Sequence, residues 1–209
     1  ALAAKAVTPV GTVASICVYP EWIERVLGPG VPVAAVANFP AGNDDPEVAA
    51  REAAGAVQDG ATEIDVVVPW RAFQGGDAGA IARMVGAVRA AIGDGAVLKA
   101  ILETGSLRDA AEIRAAGEQA LGAGADFLKT STGKVGAGAS LGAAEVLLEV
   151  VRDAGHGGVK ASGGIRTADQ AAEYLALADR VMGAGWATPE RFRLGASTLV
   201  DDLHARLGV

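Results

Sequence analysis

One pattern recurs seven times along this chain: a short apolar run, a turn, and an amphipathic helix, at a period of about thirty residues. The expected strands cover residues 13–19, 33–38, 63–68, 96–102, 125–129, 158–161 and 191–195. The expected helices follow them: one containing Trp22, Ile23 and Val26, then 46–59, 77–92, 107–121, 141–153, 168–182 and 197–207. Pro20 and Pro46 suit first helical turns, and Asp77 and Thr167 stand where caps are needed. Residues 1–6 read as the tail of a helix broken by Thr8, Pro9, Val10 and Gly11. Short strands alternating with helices imply parallel βαβ units, which build either a doubly wound sheet or a (β/α)8 barrel. The barrel of TIM type is preferred, because polar residues recur at the C-terminal ends of strand after strand, where such barrels build their sites. Only seven of its eight strands are evident here. No composition shift or low-complexity linker divides residues 1–209, so one α/β domain is expected.

The net charge of −7 opposes nucleic acid or an anionic membrane as the main partner, while a local positive pocket for a small anion stays compatible with it. Cys17 is the single cysteine, and no cysteines or histidines have metal-ligand spacing, so neither a disulfide framework nor a metal is expected. His156 and His204 are isolated and read as surface residues. No apolar run reaches the roughly eighteen residues that cross a bilayer, and the N-terminus lacks a signal-peptide pattern. A cytoplasmic protein without cofactor is expected, acting on small molecules and with room for a homo-oligomer.

The cationic residues are unevenly chosen. Thirteen are arginines and five are lysines: Lys5, Lys99, Lys129, Lys134 and Lys160. Lys99, Lys129 and Lys160 sit in apolar, strand-like runs, where lysine offers what arginine cannot, the loss of a proton. A lysine that ends a buried strand either snorkels to water or responds to desolvation by becoming a neutral, nucleophilic amine. Moving a lysine from ~10.4 to ~7 takes about 4 kcal/mol, within reach of desolvation plus one close like charge. Alternation places Asp65 on the strand face opposite Ile64, Val66 and Val68; if that apolar face meets the helices, Asp65 points into the barrel, where it needs a cationic or hydrogen-bonding partner and would make either a structural ion pair or part of a reaction centre. Lys99 is expected to pair with Glu103 on its own strand face. Three Gly-rich turns follow late strands, at Thr132, Gly133 and Lys134, at 162–167, and at 195–198. With Lys134 and Arg166 nearby and helix N-termini following, they read as a phosphate site rather than as tight connections alone. A P-loop is excluded, since Leu128 stands where its first glycine belongs and Val135 follows Lys134.

With those residues in place, the chain resembles the 2-deoxyribose-5-phosphate aldolases, which are class I, Schiff-base aldolases. The likeness runs through Pro9-Val10-Gly11, Ile16-Cys17-Val18-Tyr19-Pro20, Asn38-Phe39-Pro40-Ala41-Gly42-Asn43, Glu63-Ile64-Asp65-Val66-Val67, Glu103-Thr104-Gly105, the run from Gly124 to Lys134, Gly163-Gly164-Ile165-Arg166-Thr167 and Gly195-Ala196-Ser197. The resemblance implies that Lys129 forms the Schiff base, that Lys160 lowers its pKa, and that Asp65 joins Lys160 in a water-mediated proton relay. It further implies that Thr132, Gly133, Lys134, Gly163, Gly164, Arg166, Gly195 and Ser197 surround a substrate phosphate, with no metal. The implied reaction is the reversible cleavage of 2-deoxy-D-ribose 5-phosphate to D-glyceraldehyde 3-phosphate and acetaldehyde. The chain departs from the family at its N-terminus, where a first strand is expected and not seen. A barrel lacking that strand would expose the backbone edges of the 13–19 and 191–195 strands. The competing expectation is an impaired barrel that binds phosphosugars or serves in assembly.

Overall fold

The computed structural model describes residues 2–28 and 30–208, and within them two compact units, one of residues 1–100 and 122–125, the other of residues 101–121 and 126–209. Of the expected N-terminal helix, Leu2–Lys5 is helical, while Ala1 lies outside the described residues.

In the first unit the parallel strands Ile16–Val18, Val33–Ala37 and Glu63–Val67, and all but the last residue of Val97–Ile101, lie in sequence order. Their apolar runs suit strands covered on both faces: every residue of Val33–Ala37 and of Glu63–Val67 is buried. Register pairs Val36 with Asp65 and Ala34 with Glu63. The helix Pro46–Gln58 starts on Asp45, whose carboxylate accepts the Val48 N–H at 3.0 Å, a cap worth about 1 kcal/mol. The helix Ala80–Ile92 buries Ile81, Met84, Val85 and Val88, spaced to form one stripe. Asp77 does not cap it. Gly79 is its cap, and the Asp77 carboxylate instead takes the Arg83 guanidinium and the Gly79 N–H, which hold its pKa below the ordinary carboxylate value.

The second unit carries the strands Phe127–Lys129, Gly158–Ser162 and Phe192–Gly195, again parallel and in sequence order. The helix Ala110–Gly122 lays Gly117 against Leu128, where a Cβ would come within 3.1 Å of the leucine Cδ1. Leu141–Ala154 is capped by Ser140, and Ala168–Met182 by Thr167 in a reciprocal capping box with Gln170. The last helix, Leu199–Leu207, is tied to its predecessor by Arg206 on Asp169 and by Asp202, which accepts the Ala168 N–H at 2.7 Å.

The architecture is thus parallel α/β of TIM-barrel type, with seven strands in the parallel sheet among the described residues, each followed by helix. Ile16–Val18 and Phe192–Gly195 each have a parallel neighbour on one side only among the described residues. Among the described residues, the short helix Trp70–Gln74, the 3-10 turn Thr104–Ser106 and a hairpin of Val7–Thr8 with Gly11–Thr12 are additional to the sequence expectation.

Candidate active site

Lys129 and Lys160 belong to the second unit. They are in direct register on neighbouring parallel strands, and each is 5% exposed. Register partners in a sheet point to the same side, so two amine-bearing stems rise together from one buried face, with backbones about 4.8 Å apart. The strand beyond narrows the space around Lys160: a Cβ at Gly195 would stand 3.2 Å from Lys160 Cε and 2.7 Å from Ser162 Cβ. Arg193 was not singled out from the sequence, yet it stands in register with Lys160. Its guanidinium turns towards the strand start, lying 5.0 Å from the Phe127 ring centroid and donating to Pro189 O at 2.7 Å.

Hydroxyls knit the strand ends beside the lysines. Thr130 Oγ1 donates to Ser162 O at 3.0 Å and accepts the Ser162 N–H at 2.9 Å, while Ser162 Oγ donates to Ser131 O at 2.6 Å. The buried hydroxyls of Thr104 and Ser131 have no partner among the described residues. Beyond them, Thr132 Oγ1 accepts the Lys134 N–H at 3.0 Å, leaving Gly133 and Lys134 exposed. Gly163, with φ of 95°, lies against this loop so closely that a Cβ on it would come within 2.9 Å of Gly138 Cα and 3.5 Å of Gly133 Cα. The glycines of the first two turns therefore meet. Gly164 is exposed, as are Arg166, whose N–H donates to Gln170 Oε1, and Ser197, two residues before the Leu199–Leu207 helix.

Asp65 belongs to the first unit. It is fully buried, and its Oδ1 accepts from Lys99 Nζ at 2.7 Å, while Lys99 also donates to Glu63 Oε2 at 2.6 Å. Cys17 Sγ reaches Asp65 Oδ2 at 3.6 Å. The expected Lys99–Glu103 pair is thereby corrected. Lys99 serves the two carboxylates of the adjacent strand, and Glu103, in left-handed backbone geometry at φ 52°, accepts the N–H of Thr132. Replacing Lys99 with Met leaves two buried carboxylates without this cation, so the folded state is expected to lose about 3–5 kcal/mol, read from urea denaturation at pH 7. A loss below about 1 kcal/mol would show that other groups already balance the pair.

Among the described residues, no group of three or more His, Cys, Asp or Glu side chains is arranged to hold a metal ion. No described helix is long and apolar enough to cross a membrane.

A parallel α/β fold whose strand ends carry two register-paired lysines and glycine turns holds the groups that a lysine-based enzyme site requires. The description "DeoC/LacD family aldolase" matches residues 1–199, and the chain belongs to that family. It is 44% identical over 208 residues to a deoxyribose-phosphate aldolase of Agrobacterium fabrum, covering 97% of this chain and 80% of the relative. Among solved structures, an apo-form putative deoxyribose-phosphate aldolase of Toxoplasma gondii superposes with a TM-score of 0.90 at 26% identity, over 98% of this chain and 85% of that one. One from Coccidioides immitis gives 0.82 at 33% identity, over 97% and 77%. A deoxyribose phosphate aldolase from Aeropyrum pernix, described as tetrameric, gives 0.73 at 28% identity, over 92% and 76%. The chain is therefore an enzyme, a carbon–carbon lyase of the aldolase type.

Proposed function

We propose that this enzyme reversibly cleaves 2-deoxy-D-ribose 5-phosphate to D-glyceraldehyde 3-phosphate and acetaldehyde through a Schiff base on Lys129. The observation that carries the reading is the pair of buried, register-matched lysines, Lys129 and Lys160. Two ammonium groups held close together repel, by about 3 kcal/mol were they about 5 Å apart at an effective dielectric near 20, so burial and proximity together favour one neutral amine. Lys129, at the end of its strand and next to the Thr132–Lys134 loop, is the nucleophile, and Lys160 is the neighbour that remains protonated.

The neutral Lys129 amine adds to the C1 aldehyde of the open-chain sugar, and loss of water gives an iminium. Removal of the C3 hydroxyl proton lets the C2–C3 bond break, its electron pair moving into the iminium to give an enamine as glyceraldehyde 3-phosphate departs. Protonation at C2 and hydrolysis return acetaldehyde and the free amine. Lys160 and Asp65 are each assigned to the proton transfers, and Asp65 is ion-paired with Lys99. The turns at Thr132, Gly133 and Lys134, at Gly163, Gly164 and Arg166, and at Gly195 and Ser197 receive the phosphate through backbone N–H groups and the two cationic side chains.

The expected outcome with purified protein is release of equimolar acetaldehyde and glyceraldehyde 3-phosphate from 2-deoxyribose 5-phosphate, each read by a coupled dehydrogenase. Folded protein that binds the sugar phosphate without releasing either product would instead indicate an impaired, binding-only barrel.

A further inference from the structure

Glu103 is fully buried and adopts a left-handed backbone, φ 52° and ψ 52°, which a residue with a side chain rarely takes. The conformation is held from both sides: Leu102 N–H donates to Lys129 O at 2.9 Å, Thr104 N–H to Thr130 O at 2.8 Å, and Ser106 N–H to Glu103 O at 2.8 Å. A single kinked residue is thus fastened between the backbone groups of Lys129 and Thr130. Among the described residues its carboxylate has one hydrogen-bond partner, the Thr132 N–H, which it meets with both oxygens at 3.3 Å. A buried carboxylate is costly unless it is paired or hydrogen-bonded. Here the bond fixes Thr132, whose hydroxyl fixes the Lys134 N–H at 3.0 Å. The far limb of the same loop is held by Ala139 N–H on Ser162 O and Gly163 O, at 3.1 and 2.9 Å. Between the two anchors, Gly133 and Lys134 form the exposed turn.

We infer that Glu103 is a positioning residue for anion recognition: by accepting the Thr132 N–H it sets the turn that presents Gly133 and Lys134 to the phosphate of a phosphorylated substrate. The inference rests on the proposed phosphosugar reading for its substrate, but not for its anion. What matters is the acceptor oxygen rather than the charge, since an amide carbonyl at this place takes the same N–H.

The test compares wild type, Glu103→Gln and Glu103→Met, the last keeping volume without an acceptor. Inorganic phosphate is titrated by calorimetry, and kcat/KM is measured for 2-deoxyribose 5-phosphate and for 2-deoxyribose. For Glu103→Met, phosphate affinity and the ratio of the two kcat/KM values are each expected to fall about tenfold or more, through KM of the phosphorylated sugar. Glu103→Gln is expected to stay within about threefold of wild type. If Glu103→Met does not fold, Thr132→Val tests the same chain of bonds from its other end by removing the acceptor for the Lys134 N–H, with the same loss expected. Unchanged phosphate affinity in a folded Glu103→Met protein, equal losses in Gln and Met, or a wild type that binds no phosphate would each overturn the inference. If wild type binds phosphate yet cleaves neither sugar, the functional reading fails, and the titrations alone decide the role of Glu103.

Discussion

Lys129→Ala is expected to reduce kcat/KM for 2-deoxyribose 5-phosphate by on the order of 10⁴-fold or more while the protein remains folded. Removing the nucleophile of a covalent mechanism removes the path itself, so no neighbouring group substitutes for it. Four decades correspond to about 5.4 kcal/mol of transition-state stabilisation, far more than loss of a substrate contact produces. The structural cost is small by comparison, because the strand keeps its backbone partners, including the Leu102 N–H on Lys129 O. Stopped-point assays over hours set the floor, and circular dichroism checks the fold. Residual activity within a hundredfold of wild type would place the nucleophile elsewhere, with Lys160 the next residue to test.

Lys160→Met should lower turnover at pH 7 by about 10²–10³-fold and shift the acidic, rising limb of activity to higher pH. The sign follows from the repulsion. With Lys160 charged, a protonated Lys129 is disfavoured and its pKa lies lower. Without that charge, Lys129 holds its proton to higher pH and the neutral fraction at pH 7 shrinks. The rest of the loss comes from the missing proton donor. Activity that recovers towards wild type as the pH is raised would support this division of labour. A pH-independent loss would assign Lys160 to proton transfer alone, with no part in activating Lys129.

Much of this arrangement was readable from residue choice. Lysine is scarce in a chain that otherwise uses arginine, so its appearance at 129 and 160 in apolar runs marked both positions before their register was known. Helix is legible in the sequence where a cap and an apolar stripe agree, as at Thr167 and along Ala168–Met182. Where the reading slipped, a tertiary partner decided the outcome. The strand expected over 13–19 shortens to Ile16–Val18 because its parallel partner begins at Val33, opposite Ile16, while the Val13 N–H is taken by Ala6 O. Asp77 was drawn away from capping by Arg83, a residue six positions on that no propensity argument weighs. The Lys99–Glu103 pairing assumed a straight strand through residue 103. The left-handed kink there, supported by hydrogen bonds to Lys129 and Thr130, turns the carboxylate to Thr132 instead. The sequence marked Glu103 only as a partner for Lys99 and as part of the Glu103-Thr104-Gly105 stretch that resembles the family; its bond to Thr132 depends on a left-handed backbone that composition does not encode.

Borohydride trapping with acetaldehyde, followed by peptide mass spectrometry of wild type and Lys129→Ala, tests the Schiff-base reading most directly. A reduced two-carbon adduct on the peptide containing Lys129, absent from the Lys129→Ala protein, is the expected observation. Folded wild-type protein that gains no adduct, or gains it on a different lysine with equal yield in Lys129→Ala, would contradict the assignment of Lys129 as the Schiff-base lysine.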